Sequence, residues 1–394
     1  MRSAEHPSLP REAEDGRSAA AEVLSRRAPV YTALVASAAV AGLGLTWLLA
    51  SWLNPFAGTR MSSIVSTLLG PDAVAWTAVA TGAGGVVLAA MLARLRPGTR
   101  RVAPLGVVAA VLAFVAGITF GSMAIIAYAG YLFGFAAVVA GIVTIVVTLV
   151  RAPRLGLPLL AGFGVLLAAS VWPGGLTLGG VGEFATAFGG ALAADLPNLV
   201  VIVAVVGATL AWTALAIIAI RATRGRRSFE AWLVRHRRAL TILAALGPLP
   251  YAVARLSWLT PWPVFGPSHG ALPPAMLATG LMLGSGAIAA SILTLGLILP
   301  WGVEFPRWMP RIGGRPVPVS AATVPGLIAA GALCISAAPM FVTLVGGPDA
   351  PFDALVVNLV LPFWFWGPML ALAVWAYAAW CGRDVSAGAV LADE

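Results

Sequence analysis

The chain has no lysine: its 24 basic residues are all arginine. Arginine's planar fork suits phosphate and carboxylate recognition. Here it accompanies an excess of alanine, glycine and valine, the mark of a GC-rich coding sequence. The absence of lysine therefore does not by itself argue for an anion-binding function. Acids are scarce as well. Glu5, Glu12, Glu14, Asp15 and Glu22 lie near the N-terminus, and Asp384, Asp393 and Glu394 near the C-terminus. That leaves Asp72, Glu183, Asp195, Glu230, Glu304, Asp349 and Asp353 for the rest of the chain. None falls in the middle of a long apolar run. This argues against a proton relay or a carboxylate-coordinated cation site at membrane depth.

Cysteine is nearly absent too. Cys334 and Cys381 sit in or at the end of apolar segments, so neither a disulfide framework nor a metal-binding spacing is expected. His236 and His269 are isolated, which leaves no expected metal site and no cofactor. No cluster of nucleophile and base lies at depth, so no catalytic residue is assigned and an enzyme is not expected. Residues 1–27 are polar and charged, with no apolar core and no small-residue cleavage site, so a cleavable signal peptide is not expected.

What the chain does have is apolar length. Mean hydropathy is +0.94, with 60% hydrophobic and 10% charged residues, against roughly a quarter charged in a soluble domain. A helical span needs about 20 mostly apolar residues. Ten segments qualify, over 29–51, 73–93, 103–123, 131–150, 155–172, 197–220, 240–260, 274–299, 322–345 and 355–380. The run from Val102 to Val150 carries no charge and is too long for one helix. A break is expected near Ala127–Gly130, where Tyr128 and Tyr131 suit an interface.

The arginines fall into alternate gaps. Arg94, Arg96, Arg100 and Arg101 follow the second span, and Arg151 and Arg154 the fourth. The set from Arg221 to Arg238 follows the sixth, and Arg307, Arg311 and Arg315 the eighth. Only Arg60 and Arg255 fall toward the other side. The positive-inside rule then places both termini in the cytoplasm and the protein in the cytoplasmic membrane. The expected fold is all-α, a polytopic integral membrane bundle of about ten helices. It comprises a disordered tail (1–28), spans one to six (29–220), a basic amphipathic segment (221–239), spans seven to ten (240–381) and a second tail (382–394). The net charge of +9 fits attraction to an anionic inner leaflet, the expected lipid partner, rather than nucleic acid.

Two hairpins resemble each other. LTWLLASWLNPF and ARLSWLTPWPVF lead out, and Ala-Thr-Gly opens each return helix at Ala80 and Ala278. A parallel repeat would match spans one to four with seven to ten, while a five-plus-five inverted arrangement is the rival.

Candidate positions are few. Tyr251, Arg255 and Trp258 share one face of the seventh span. Arg255 is either a snorkelling or ring-stacked structural cation, or an anion or headgroup site at the outer leaflet. Gly247-Pro-Leu-Pro250 should kink or unwind the same span. Gly280, Gly284 and Gly286 in the eighth allow close packing or line a path. Asn358 in the tenth should hydrogen-bond a neighbouring helix. The inner loop from Pro300 to Pro318 holds five prolines, which preclude a regular helix. Trp301 and Trp308 suit interface anchors, and Glu304 and Arg307 are placed to pair and fold the loop back. Ser228 should cap a short amphipathic helix carrying Phe229, Trp232 and Leu233. The glycine-rich stretch 173–196 reads as an outer loop.

The pattern Tyr-Ala-x-x-Arg-Leu-x-Trp (251–258) with Pro-Trp-Gly-x-x-Phe-Pro-Arg-Trp (300–308) resembles a group of uncharacterised multi-pass membrane proteins from high-GC bacteria. It covers roughly the seventh to ninth spans. The resemblance implies the membrane class and no mechanism. Two functions stay open: permease-like handling of a small molecule or lipid at the seventh and eighth spans, or a non-transporting scaffold that docks a protein partner through the 300–318 loop.

Overall fold

The computed structural model describes residues 28–58, 61–94, 102–172, 175–221, 226–260, 262–264, 272–345 and 351–392. The expected N-terminal tail lies outside these residues apart from Ala28, as do Arg60, His269 and Asp349. In hydrocarbon a backbone must satisfy its own hydrogen bonds, and a helix does so within one segment. The chain is accordingly a series of helices: α1 (Ala28–Leu49), α2 (Ile64–Leu69), α3 (Pro71–Arg94), α4 (Val102–Phe120), α5 (Met123–Arg151), α6 (Pro153–Val171), α7 (Leu178–Ala194), α8 (Leu196–Arg221), α9 (Arg226–Arg235), α10 (Arg237–Leu246), α11 (Leu249–Leu256), α12 (Pro274–Leu295), α13 (Val319–Val345), α14 (Pro351–Val360) and α15 (Phe363–Ala392). Among the described residues nine stretches are long and apolar enough to cross a membrane, and Pro104–Phe120 is a shorter apolar helix. The protein is an all-α polytopic membrane protein.

Several boundaries differ from those read in the sequence. The third and fourth spans part at Gly121–Ser122, not at Ala127–Gly130. Tyr128 and Tyr131 therefore sit inside α5, a helix of 29 residues. The stretch 173–196 is mostly helix α7, not loop: Thr177 caps it, its side chain accepting from the Gly180 N–H at 3.1 Å. The helix holding Ser228 begins two residues before it, at Arg226, so Ser228 is not the cap. The tenth span is broken at Leu361–Pro362, and helix α15 continues through most of the expected C-terminal tail to Ala392.

The chain divides into two compact units, residues 1–122 with 198–232, and residues 123–197 with 233–394. In the first, α1 and α3 touch through glycines. A Cβ on Gly44 would stand 2.7 Å from the Val79 nitrogen, and one on Gly82 would collide with the Ala41 backbone. Gly85 lies under the Trp212 indole, whose Nε1–H donates to Ser37 Oγ at 3.0 Å. The Ser37 hydroxyl in turn donates a hydrogen bond to the Ala33 carbonyl at 2.5 Å. Both side chains are fully buried, and this relay leaves neither donor bare. At the turn, Asn54 accepts from Phe56 N and donates to Pro71 O, each at 3.0 Å.

In the second unit, α5 and α12 approach where Gly134 faces Met282 and Gly286. Helix α7 is held to α5 by Tyr131 against Phe188, centroids 5.7 Å apart, and by a hydrogen bond from the Tyr128 hydroxyl to Asp195 Oδ2. Gly180 receives Pro274 at the start of α12. The core of this unit gathers Leu333, Phe363, Val374 and Tyr377 around Leu240 and Leu297.

Candidate functional site

The break in the seventh span is real: α10 ends at Leu246, Gly247 and Pro248 form the joint, and α11 starts at Leu249. It is a packed joint. The Trp366 ring of α15 lies on Gly247, where an added Cβ would be 2.5 Å from its Cγ. Across the joint Ser291 of α12 donates to the Ala245 carbonyl at 2.5 Å, taking up an acceptor that the Leu249 N–H would use in an unbroken helix.

Tyr251, Arg255 and Trp258 do meet. The Arg255 guanidinium carbon is 4.8 Å from the Tyr251 ring centroid and 4.3 Å from that of Trp258. Trp258 is fixed from three sides. Its Nε1–H donates to Val264 O at 2.8 Å, its ring rests on Gly280, and Ser257 Oγ accepts from Val264 N at 2.8 Å. Gly284 lies against the Arg255 Cβ at 3.0 Å. Thus Gly280 and Gly284, one helical turn apart on α12, receive in turn the tryptophan of the 3-10 turn Ser257–Leu259 and the arginine of α11, which precedes that turn. Asn358 is elsewhere: buried on α14, it donates from Nδ2 to the Met340 carbonyl of α13 at 3.3 Å. It ties α14 to α13 and is not part of the arginine cluster.

The loop from Pro300 to Pro318 is closed by its own backbone. Phe305 N donates to Arg315 O at 2.9 Å, Gly314 N to Phe305 O at 2.8 Å and Val317 N to Val303 O at 2.8 Å, around a bridge between Glu304 and Pro316. The Glu304–Arg307 pair expected to fold the loop is not formed: both side chains are exposed and make no ion pair among the described residues. Trp301 packs on Gly296, Trp308 is half-buried, and Tyr377 of α15 donates its hydroxyl proton to the Gly302 carbonyl at 2.8 Å. At the tip Arg311 takes φ 67 and Gly314 φ 77. A non-glycine residue in the left-handed region costs of order 1–3 kcal/mol and persists only where its surroundings over-determine it. Arg307, Arg311 and Arg315 all point outward, with Ile312 between them.

Sequence reasoning missed the Tyr377 latch and the Tyr128–Asp195 bond, because each joins residues far apart in the chain. In the first unit α9 carries an exposed stack, Phe229 on Trp232, centroids 6.2 Å apart. In the first unit an open groove of about 520 Å³ runs between Tyr31–Ala39 and Val203–Gly207. Its walls are almost wholly apolar and offer no set of donors to orient a solute. Among the described residues no His, Cys, Asp and Glu side chains gather as a metal-ligand set.

Fold and composition define the class: a polytopic α-helical membrane protein. Within that class, comparison with family models, with curated proteins and with solved structures finds no match.

Proposed function

We propose that the protein is a non-transporting subunit of the cytoplasmic membrane that docks a partner on the cytoplasmic side through the 300–318 loop. The observation that carries this reading is the loop itself. It is closed by backbone hydrogen bonds and latched by Tyr377 to α15, and it holds a strained tip that presents Arg307, Arg311, Arg315 and Ile312 to solvent. Strain held at an exposed tip is a recurrent sign of function. Three arginines around one aliphatic side chain suit an acidic partner with a small apolar contact. Permease-like handling would use the broken seventh span, but Trp366 occupies the Gly247 joint and Trp258 the Gly280 face. That packing supports docking over transport.

A photo-reactive side chain at Ile312, in the full-length protein in native membranes, tests the reading. One discrete protein adduct is expected, lost when Arg307, Arg311 and Arg315 are all changed to glutamine and kept in Gly84→Ala. Adducts to lipid alone, or an adduct indifferent to the arginines, would count against docking. The orientation has its own check. An impermeant thiol reagent applied outside cells should label cysteines placed within 261–272 and not within 302–315. The reverse pattern would invert the topology and remove the loop from the cytoplasm.

A further inference from the structure

Among the described residues Arg255 has two rings against its guanidinium and no hydrogen-bond partner at its Nε. Tyr251 and Trp258 offer their rings to the guanidinium, and a ring quadrupole attracts the cation without accepting its N–H groups in their plane. A guanidinium carries five such donors and no acceptor. The Arg255 Nε is buried with no hydrogen-bond partner. Among the described residues this side chain makes no hydrogen bond or ion pair, while the two rings lie against its guanidinium and Gly284 against its Cβ. Arg255 is also one of only two arginines that break the alternation along the chain. It stands four residues before the end of the apolar stretch Arg237–Leu259, roughly 6 Å of helix rise from it. That is the depth of lipid headgroups, where a cation with unmet donors is costly unless something anionic completes it.

We infer that Arg255 is the recognition group of a phosphate site at the outer-leaflet level of the second unit. The rings pre-set the plane of the guanidinium, so its free edge is aimed before anything binds. A phosphate presents two oxygens at the spacing of that fork and takes both donors at once. Trp258 is the positioning residue: fixed by Val264 O and Gly280, it cannot swing away and let the arginine extend into water. The phosphate comes either from a phospholipid headgroup or from a soluble phosphate ester, and the fork recognises the group common to both. The site is independent of the loop at residues 300–318.

The test uses the full-length protein in detergent, titrated with phosphatidylglycerol, with diacylglycerol of the same acyl chains, and with glycerol phosphate. Native mass spectrometry counts bound lipid, and tryptophan fluorescence follows the rings. The wild type should retain one phosphatidylglycerol that diacylglycerol does not replace. Arg255→Gln should weaken its binding at least tenfold. Arg255→Lys keeps the charge without the fork and should fall between the two. Trp258→Phe, which keeps the arginine, should also weaken binding, so the inference does not rest on one variant that might misfold. Glycerol phosphate displacing the lipid at equal concentration assigns the site to a soluble ester, and failure to displace it assigns the site to the headgroup. Equal phosphatidylglycerol affinity in wild type and Arg255→Gln, or equal binding of diacylglycerol, overturns the inference.

Discussion

Gly82→Val should prevent the first unit from assembling, while Gly84→Ala, two residues away, leaves it intact. Both glycines are in α3 and look alike in the sequence. At Gly82 an added Cβ would lie 2.7 Å from the Ala41 Cα and closer still to its nitrogen. These are backbone atoms of α1 and cannot rotate out of the way, so the two helices would have to separate along their contact. Overpacking of this kind costs about 3 kcal/mol or more, and here it also draws the buried Ser37–Trp212 hydrogen bond apart. At Gly84 the nearest neighbour is the Leu112 Cδ2 at 3.5 Å, an ordinary contact. Alanine there should be neutral or stabilise by up to about 1 kcal/mol through helix propensity. Thermal unfolding in detergent, with yield of monodisperse protein as a second readout, checks the pair. Similar behaviour of both variants would show that α1 and α3 do not touch through Gly82.

The difference between these two glycines also shows where sequence reading stops. Arginine alternation and apolar length located a helix for every expected span, because hydrocarbon thickness and charge exclusion act on each segment separately. Boundaries inside a charge-free run carry no such signal. Tyr128 pointed to an interface at 127–130, but the phenol is anchored by Asp195, 67 residues away in the chain. Helix α7 was hidden by its glycines, each about 1 kcal/mol poorer than alanine in a helix. What offsets that cost is tertiary, with Gly180 fitted to Pro274 and Phe188 to Tyr131. The Tyr251–Arg255–Trp258 face was legible because the three residues keep helical spacing along α11 and the 3-10 turn Ser257–Leu259 that continues it. That Gly280 and Gly284 would receive two of them was not, since the register between α11 and α12 is set by packing.

The two look-alike hairpins add a structural parallel. In both, the glycine of Ala-Thr-Gly is a close-contact residue of the return helix, Gly82 against Ala41 and Gly280 against Trp258. In both, the threonine before it turns its hydroxyl back onto its own helix, to Thr77 O at 2.7 Å and to Ala275 O at 2.8 Å. The partners differ, a backbone in one case and an indole ring in the other. The ring in the second hairpin also lies against the Arg255 guanidinium.

Gly302→Ala should open the 300–318 loop, with a larger effect than Tyr377→Phe. The Gly302 Cα faces the Gly296 carbonyl so closely that any Cβ would overlap it, and both atoms belong to backbone. The turn at Pro300–Gly302 would have to shift, moving the Gly302 carbonyl away from Tyr377 and releasing the Glu304–Pro316 bridge behind it. Tyr377→Phe removes one hydrogen bond and leaves the carbonyl of a buried residue without its donor, which costs about 1–3 kcal/mol, but it leaves the turn in place. Limited trypsin digestion separates the two outcomes. The closed loop should resist cleavage after Arg307 and Arg311, since neither bond can extend into a protease cleft while the tip holds its left-handed geometry. Gly302→Ala should be cut there at least tenfold faster, and Tyr377→Phe by a smaller factor. If the loop docks a partner, the photo-adduct at Ile312 should fall in the same order. Rapid cleavage of the wild type would mean that the tip is not rigid, and the docking proposal would lose the observation that carries it.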